Sequence, residues 1–345
     1  MSIRSRLPEL ESLEALLSEM DARVRVIAEV SHGRERVPIH AVLLGPDDPS
    51  LPTLLYTGGV HGLERVGTQV LTSYLRSLKV ALSWDKMLRQ MLERVRVLFV
   101  PLLNPVGMAQ SLRSNGHGVD LMRNAPVEAE QGSRWFELHR GQRLSPLLPW
   151  YRGHPHQAME VESRALCDFV AQEVFPSCFA IGLDVHSGFL AGDRIWFPYA
   201  GSQKLFPNTP ELWALKHLLQ ETHEHHVYTV EPQSLNYTTH GDLWDYLYDQ
   251  YRATNPDGVF LPLTLEISSY LWYRKNPRQL LSRSGLFHPM KQHRLVRVQR
   301  RHKTLFDFLS RAVYSRESWL PRDEAHRASL HREAERDWPQ AEAIG

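Results

Sequence analysis

The stretch YTGGVHGLERVG, residues 56–67, sets a histidine and a glutamate, His61 and Glu64, three positions apart directly after an apolar run. The run Thr53 to Val60 has the composition of a buried strand, and Gly58, Gly59 and Gly62 let the backbone turn sharply at its end. With a helix starting near Leu63, a spacing of three brings both side chains to one side of its first turn, where they could share a metal. His186 ends a second such run, FAIGLDVHSG, and Glu266 stands inside a third, LPLTLEIS. Two histidines and a carboxylate with a fourth position open describe a catalytic zinc site. A histidine after a strand also serves as a hydrogen-bonded turn residue, but candidates at three corresponding strand ends favour the metal. Burying an unpaired carboxylate costs on the order of several kcal/mol, so Glu266 calls for either a salt bridge or a functional role.

Those positions need a sheet to hold them. Strand-like runs recur as VRVIAEV, VPIHAVLL, TLLYTGGV, VRVLFVPLL, FAIGLDVH, RIWFPYA and LPLTLEIS, with helix-like stretches near 63–80, 84–93, 158–173, 209–224 and 241–252. This alternation predicts an α/β domain with a mostly buried sheet, whose strand ends are where such folds place ligands. The 345 residues, 42% hydrophobic and 23% charged, suffice for one catalytic domain over 1–310, followed by a charge-rich tail over 311–345 that is helical or partly disordered. A formal net charge of +1 gives no reason to expect nucleic acid or an anionic membrane as partner. The start, MSIRSRLPELESLEALL, lacks the pattern of a secretory signal, and no apolar run reaches the length of a membrane span, so the chain reads as cytoplasmic. Cys167 and Cys178 are too few for a disulfide framework and read as buried reduced thiols.

These residues resemble the zinc carboxypeptidase family, the metallocarboxypeptidases. His61 and Glu64 match its strand-end His-x-x-Glu pair, DVHSG resembles the stretch with the third ligand, and LTLEIS the strand with the catalytic glutamate. The segment NPVGMAQSLRSNGHGVDLMRN, residues 104–124, resembles the family's Asn-Pro-x-Gly, Arg-x-Asn and Gly-Val-Asp-Leu-Asn-Arg-Asn. WYRGHPHQAMEVESRALCDFV and LNYTTHGDLWDYLYD extend the likeness over roughly residues 50–270. The resemblance implies a mixed, mostly parallel central sheet flanked by helices, and one zinc ion per chain held by His61, Glu64 and His186. It implies that Asp120 accepts a hydrogen bond from a ligand imidazole, that Glu266 is the general base, and that Arg113 faces the carbonyl oxygen. Arg123, Asn124 and Tyr237 would bind the substrate, a peptide, with Arg123 on its carboxylate.

The departures bear on the substrate. Met122-Arg123 stands where the family usually has Asn-Arg, Gly188 replaces a bulkier residue and would widen the cleft, and Ala125 to Trp150 reads as an insertion beside the site. In GDLWDYLYD, Leu243 and Trp244 are apolar where a charged side-chain selector would sit; a plain amphipathic helix is the other reading of that segment. A rival function is that of the succinylglutamate desuccinylase and aspartoacylase group, which acts on N-acyl amino acids with the same metal triad. Another is a non-catalytic binding protein on the same fold. His223 to His226, HEHH, lacks the His-Glu-x-x-His spacing of a helical metal site and reads as a polar helix end. The basic run HRLVRVQRRHK, 293–303, reads as a helix packed on the sheet through Leu295, Val296, Val298, Leu305, Phe306 and Leu309.

Overall fold

The computed structural model describes residues 2–130, 138–278, 285, 287–289 and 291–338. All seven apolar runs form strands: β1 (Arg23–His32), β2 (Glu35–Leu44), β3 (Thr53–Gly58), β4 (Arg96–Val100), β5 (Phe179–Gly188), β6 (Arg194–Phe197) and, at the end, β8 (Val259–Ser268). Between them lies β7 (Thr229–Pro232), which the sequence pattern does not announce: four residues are too few to show an alternation. The helices are α1 (Pro8–Ser18), α2 (Arg65–Trp84), α3 (Lys86–Met91), α4 (Pro105–Gln110), α5 (Val161–Glu173), α6 (Thr209–Thr222), α7 (Leu243–Thr254), α8 (Tyr270–Arg274), α9 (Gln292–Tyr314) and α10 (Glu324–Asp337).

The strands form one sheet in the order β1-β2-β4-β3-β5-β8-β6-β7. Its centre, β4, β3, β5 and β8, is parallel; β2 and β6 run against it on either side. Every residue of β3 and β4, and all but the last of β5, is buried, as expected where helices cover both faces. The path from β3 through α2 to β4 steps to one side of β3, and the path through α5 to β5 steps back past it. Right-handed crossovers then put α2 and α5 on opposite faces, and the reversal leaves a crevice at the carboxyl ends of β3 and β5. That crevice is where His61, Glu64 and His186 arrive. The mixed, mostly parallel α/β sheet expected from the sequence is the one observed.

Close packing fixes the two sides of the crevice against each other. Helix α2 crosses β5 at Gly67, where an added Cβ would lie 2.3 Å from the Val185 carbonyl oxygen. Tyr56 stacks on Phe99 and packs against Phe306 of α9, both at 5.0 Å between ring centres, and its hydroxyl donates to the Phe306 carbonyl at 3.0 Å. The basic run is thus a packed helix, with Leu295, Val298, Leu305, Phe306 and Leu309 buried. Val296 departs from that expectation, since it lies on the exposed side.

Position 310, where the sequence reading divides body from tail, lies inside α9. Beyond it, α10 packs along α6, and Lys216 stands 4.1 Å over the Trp213 ring and 4.8 Å over that of Trp338. Residues 339–345 of the tail, and 131–137 of the expected insertion, lie outside the described residues. Of the cysteines, Cys167 is buried in α5, but Cys178 is exposed, because it precedes β5 in the turn after Pro176 rather than lying within an element. Among the described residues no helix is long and apolar enough to cross a membrane.

Candidate metal centre

The loop after β3 must turn within four residues, and Gly59 permits it at φ 66°, with no room for a side chain because a Cβ would meet Thr68 Oγ1 at 2.5 Å. Helix α2 starts at Arg65, two residues later than the sequence suggested, which makes Glu64 its N-cap. A carboxylate there sits at the positive end of the helix dipole. His61 Nδ1 lies 2.9 Å from Glu64 Oε1, and His186 Nδ1 lies 3.1 Å from Glu64 Oε2 and 3.2 Å from His61 Nδ1. The Ser187 amide donates to Glu64 Oε2 at 3.0 Å. All three side chains are buried, and among the described residues they form the one histidine, cysteine and carboxylate group whose ligand atoms lie close enough, within 4.8 Å, to hold a metal ion.

The outer nitrogens of both imidazoles are engaged. His61 Nε2 faces Asp120 Oδ1 at 3.2 Å, and His186 Nε2 faces Asp184 Oδ2 at 2.8 Å. An ionised carboxylate only accepts, so each Nε2 carries a proton, and in a neutral ring Nδ1 is left with its lone pair. Two lone pairs facing each other at 3.2 Å beside a carboxylate repel unless a proton or a metal ion lies between them. The donor set, two imidazoles and a carboxylate at strand ends, therefore fits a zinc ion.

Asp120 joins this centre to two arginines. Its Oδ2 accepts from Arg113 Nε at 2.9 Å and from Arg123 Nη1 at 3.1 Å, and Arg113 Nη1 also stands 3.5 Å from Glu64 Oε1. Burial works to raise the Asp120 carboxyl, but these two guanidiniums hold it well below the usual range. Glu266 pairs in register with His186 across β5 and β8. Among the described residues it makes no hydrogen bond or ion pair, which disposes of the salt-bridge alternative there. Burial pushes its carboxyl up to about 7, against the pull of the nearby imidazoles and Arg113. A Cβ at position 188 would sit 3.1 Å from Glu266 Oε2, so Gly188 leaves space for that carboxylate.

Tyr237 reaches the same place from the loop before α7. Its hydroxyl lies close enough to Arg123, Glu266 and Arg113 for their charges to act on it, while its ring packs against Trp196 at 6.0 Å and His139 at 5.9 Å. Arg123 is buried and donates from Nη2 to the His139 carbonyl at 3.1 Å, so the expected insertion does meet the site. Asn124 points elsewhere: its Nδ2 donates to the Arg152 carbonyl at 3.0 Å and its Oδ1 accepts from the Glu160 amide at 2.7 Å. Both ends of that amide are taken up in holding the loop.

Asp184, which accepts from His186 Nε2, and Trp244, whose indole Nε1 donates to Asp184 Oδ2 at 3.0 Å, were not read from the sequence as neighbours of this centre. The signal for Asp184 was its place two residues before His186 on one strand, which puts both side chains on one face. The HEHH cluster lines a cavity of about 380 Å³ with Tyr228 and Arg301, away from the crevice.

Fold and site together define a metal-binding α/β protein with a carboxylate and an arginine poised beside the metal ligands. The chain belongs to the zinc carboxypeptidase family, which it matches over residues 10–286. It is similar to carboxypeptidase A4 of Mus musculus, 23% identical over 214 residues, covering 58% of this chain and 49% of that protein. It is similar also to carboxypeptidase E of Caenorhabditis elegans, 27% identical over 148 residues, covering 37% of this chain and 31% of that protein. The chain thus spans half or less of the length of these curated relatives. Among solved structures, bovine thrombin-activatable fibrinolysis inhibitor in complex with tick carboxypeptidase inhibitor has the same fold, with TM-score 0.62 and 16% identity over 91% of this chain and 97% of that one. Carboxypeptidase A of Helicoverpa armigera likewise gives TM-score 0.62 at 17% identity, over 89% and 71% of the two chains.

Proposed function

We propose that the protein is a zinc-dependent peptidase of the carboxypeptidase type, with one zinc ion held by His61, Glu64 and His186. The observation that carries the proposal is the convergence of these three ligands beside Glu266, a carboxylate with no fixed partner among the described residues. Zinc at such a site supplies a Lewis acid and an ionised water near neutral pH. Glu266 is placed to take the proton of the attacking water on its carboxylate and to deliver it to the leaving amine nitrogen. Arg113 stays charged at any working pH, because Asp120 and Glu64 oppose the effect of its burial, and it stabilises the carbonyl oxygen as that gains charge. Arg123 and Tyr237 lie together on the substrate side, where Arg123 offers a cation for a carboxylate and the Tyr237 ring closes over the bound chain end. Asn124 supports the loop through its side-chain amide, which bonds the backbone of Arg152 and Glu160.

The deacylase and binding-protein readings are not favoured by the family match. Glu266→Gln tests the assignment. Turnover of C-terminal peptides is expected to fall by roughly 10²–10⁴ with zinc content unchanged. Undiminished turnover would remove Glu266 from the mechanism, and hydrolysis of N-acyl amino acids in preference to peptides would reinstate the deacylase.

A further inference from the structure

The two candidate zinc histidines are backed differently. Asp120, behind His61, accepts from two guanidiniums. Asp184, behind His186, has no lysine or arginine paired with it among the described residues. Its Oδ2 accepts from His186 Nε2 at 2.8 Å and from the indole Nε1 of Trp244 at 3.0 Å, and all three side chains are buried. We infer that Trp244 is a positioning residue of the metal centre: its indole N–H fixes the Asp184 carboxylate, and that carboxylate fixes the ring of His186. This rests on His186 being a metal ligand, as proposed above.

The first turn of α7 is built to hold that indole still. Asp242 caps it, accepting from the amides of Trp244 at 2.9 Å and Asp245 at 3.0 Å. The Asp245 carboxylate in turn accepts from the amides of Ala200 at 2.9 Å and Gly201 at 2.7 Å, which ties the turn to the chain leaving β6. With 3% of its surface exposed and its one polar atom spent on Asp184, Trp244 offers nothing to a substrate side chain. The position is therefore neither a pocket selector nor a plain core residue. A neutral donor also serves the metal better than a cation would. It orients the carboxylate while leaving its charge in place, and a charged carboxylate on Nε2–H makes the opposite ring nitrogen a stronger ligand.

The test is competitive zinc titration against a chelator for wild type, Trp244→Phe, Asp184→Asn and the double variant, with cobalt substitution reporting ligand geometry through its absorption spectrum. Trp244→Phe is expected to weaken zinc binding about tenfold or more, and Asp184→Asn further within the roughly 10–100-fold range of such partners. Because Trp244 acts through Asp184, Phe at position 244 should add little once position 184 is Asn. Unchanged affinity in Trp244→Phe, or an equal loss in both backgrounds, overturns the inference and leaves Trp244 as packing. Wild type that takes up no zinc would instead overturn the metal reading itself. Should Trp244→Phe not fold, the assigned Trp244 indole N–H resonance of the wild type decides: it must be protected from exchange and shift as zinc is added, and a resonance that ignores zinc refutes the link.

Discussion

Gly67→Ala probes whether the contact between α2 and β5 sets the metal geometry. The added Cβ would stand 2.3 Å from Val185 O, and ordinary contact begins at 3.4 Å, so helix and strand must part by about 1 Å. The obstacle is backbone and cannot rotate away. Overpacking of this kind costs about 1–3 kcal/mol, offset by up to about 1 kcal/mol from the better helix propensity of alanine. With that offset in full the net loss is about 0–2 kcal/mol, a fall of at most a few degrees in Tm for a chain of this size. The larger effect is local. Glu64 precedes the contact by one helical turn and His186 follows Val185 directly, so the separation stretches the 3.1 Å approach of Glu64 Oε2 to His186 Nδ1 and the 3.0 Å bond from the Ser187 amide. Zinc affinity should drop about tenfold or more, since displaced ligand geometry is at least as damaging as a lost supporting partner. Chelator competition and urea melts of the zinc-free protein measure the two effects separately. Gly192→Ala is the control, because nothing lies within 4 Å of a Cβ there. If Gly67→Ala binds zinc and melts like that control, α2 and β5 do not position the site as argued.

Arg113→Ala should lower kcat by roughly 10²–10³ with zinc retained, because Asp120 keeps Arg123 and still holds His61; steady-state kinetics showing a change in KM alone would contradict the role given to it. His302 is fully buried, with its Nδ1 3.0 Å from the Tyr228 hydroxyl, Asp193 at 3.8 Å from its Nε2 and Arg301 beside it; burial pushes its imidazole down to about 4. An unfolded histidine takes up its proton near 6.5 and the native one does not until about 4, so stability is lost as pH falls through that window. Between pH 7 and 5 urea melts should show about 2 kcal/mol more loss in wild type than in His302→Gln, and equal losses would show that His302 is not the sensor.

The site was legible to the extent that its chemistry sits in short strings at strand ends. His61, Glu64, His186 and Glu266 could be picked out because polar residues interrupt apolar runs, and the parallel centre of the sheet brought those interruptions to one edge. What could not be read was which carboxylate backs which imidazole. Asp184 was printed within the same string as His186, but a strand has two faces and a sequence does not show what lies across from either. Trp244 became visible only when α7 was docked, since its partner is 60 residues away. Asn124 misled for the opposite reason: a motif position fixes the backbone, and here the amide turns into the loop it stabilises. Strand β7 escaped because an edge strand of four residues needs its neighbour more than its own pattern.

Charge balance links the ligands to the base. Among the described residues, the three carboxyl groups that touch the imidazoles, Glu64, Asp120 and Asp184, and the nearby Glu266 stand against the two guanidiniums of Arg113 and Arg123. If every carboxyl ionises with neutral imidazoles, two negative charges remain without an opposite charge in a largely buried space. Protons answer that imbalance in the chain alone. Burial opposes a charged His186 imidazole, but Asp184 and Glu64 raise it well above its ordinary value, and Glu266 holds its proton up to about 7. A divalent cation held by His61, Glu64 and His186 would bring two positive charges, which would free the His186 nitrogen for ligation and let Glu266 ionise. In the proposed mechanism Glu266 would thereby be kept from accepting a proton until the ligands are filled, so the readiness of that base would depend on the charge at His61, Glu64 and His186.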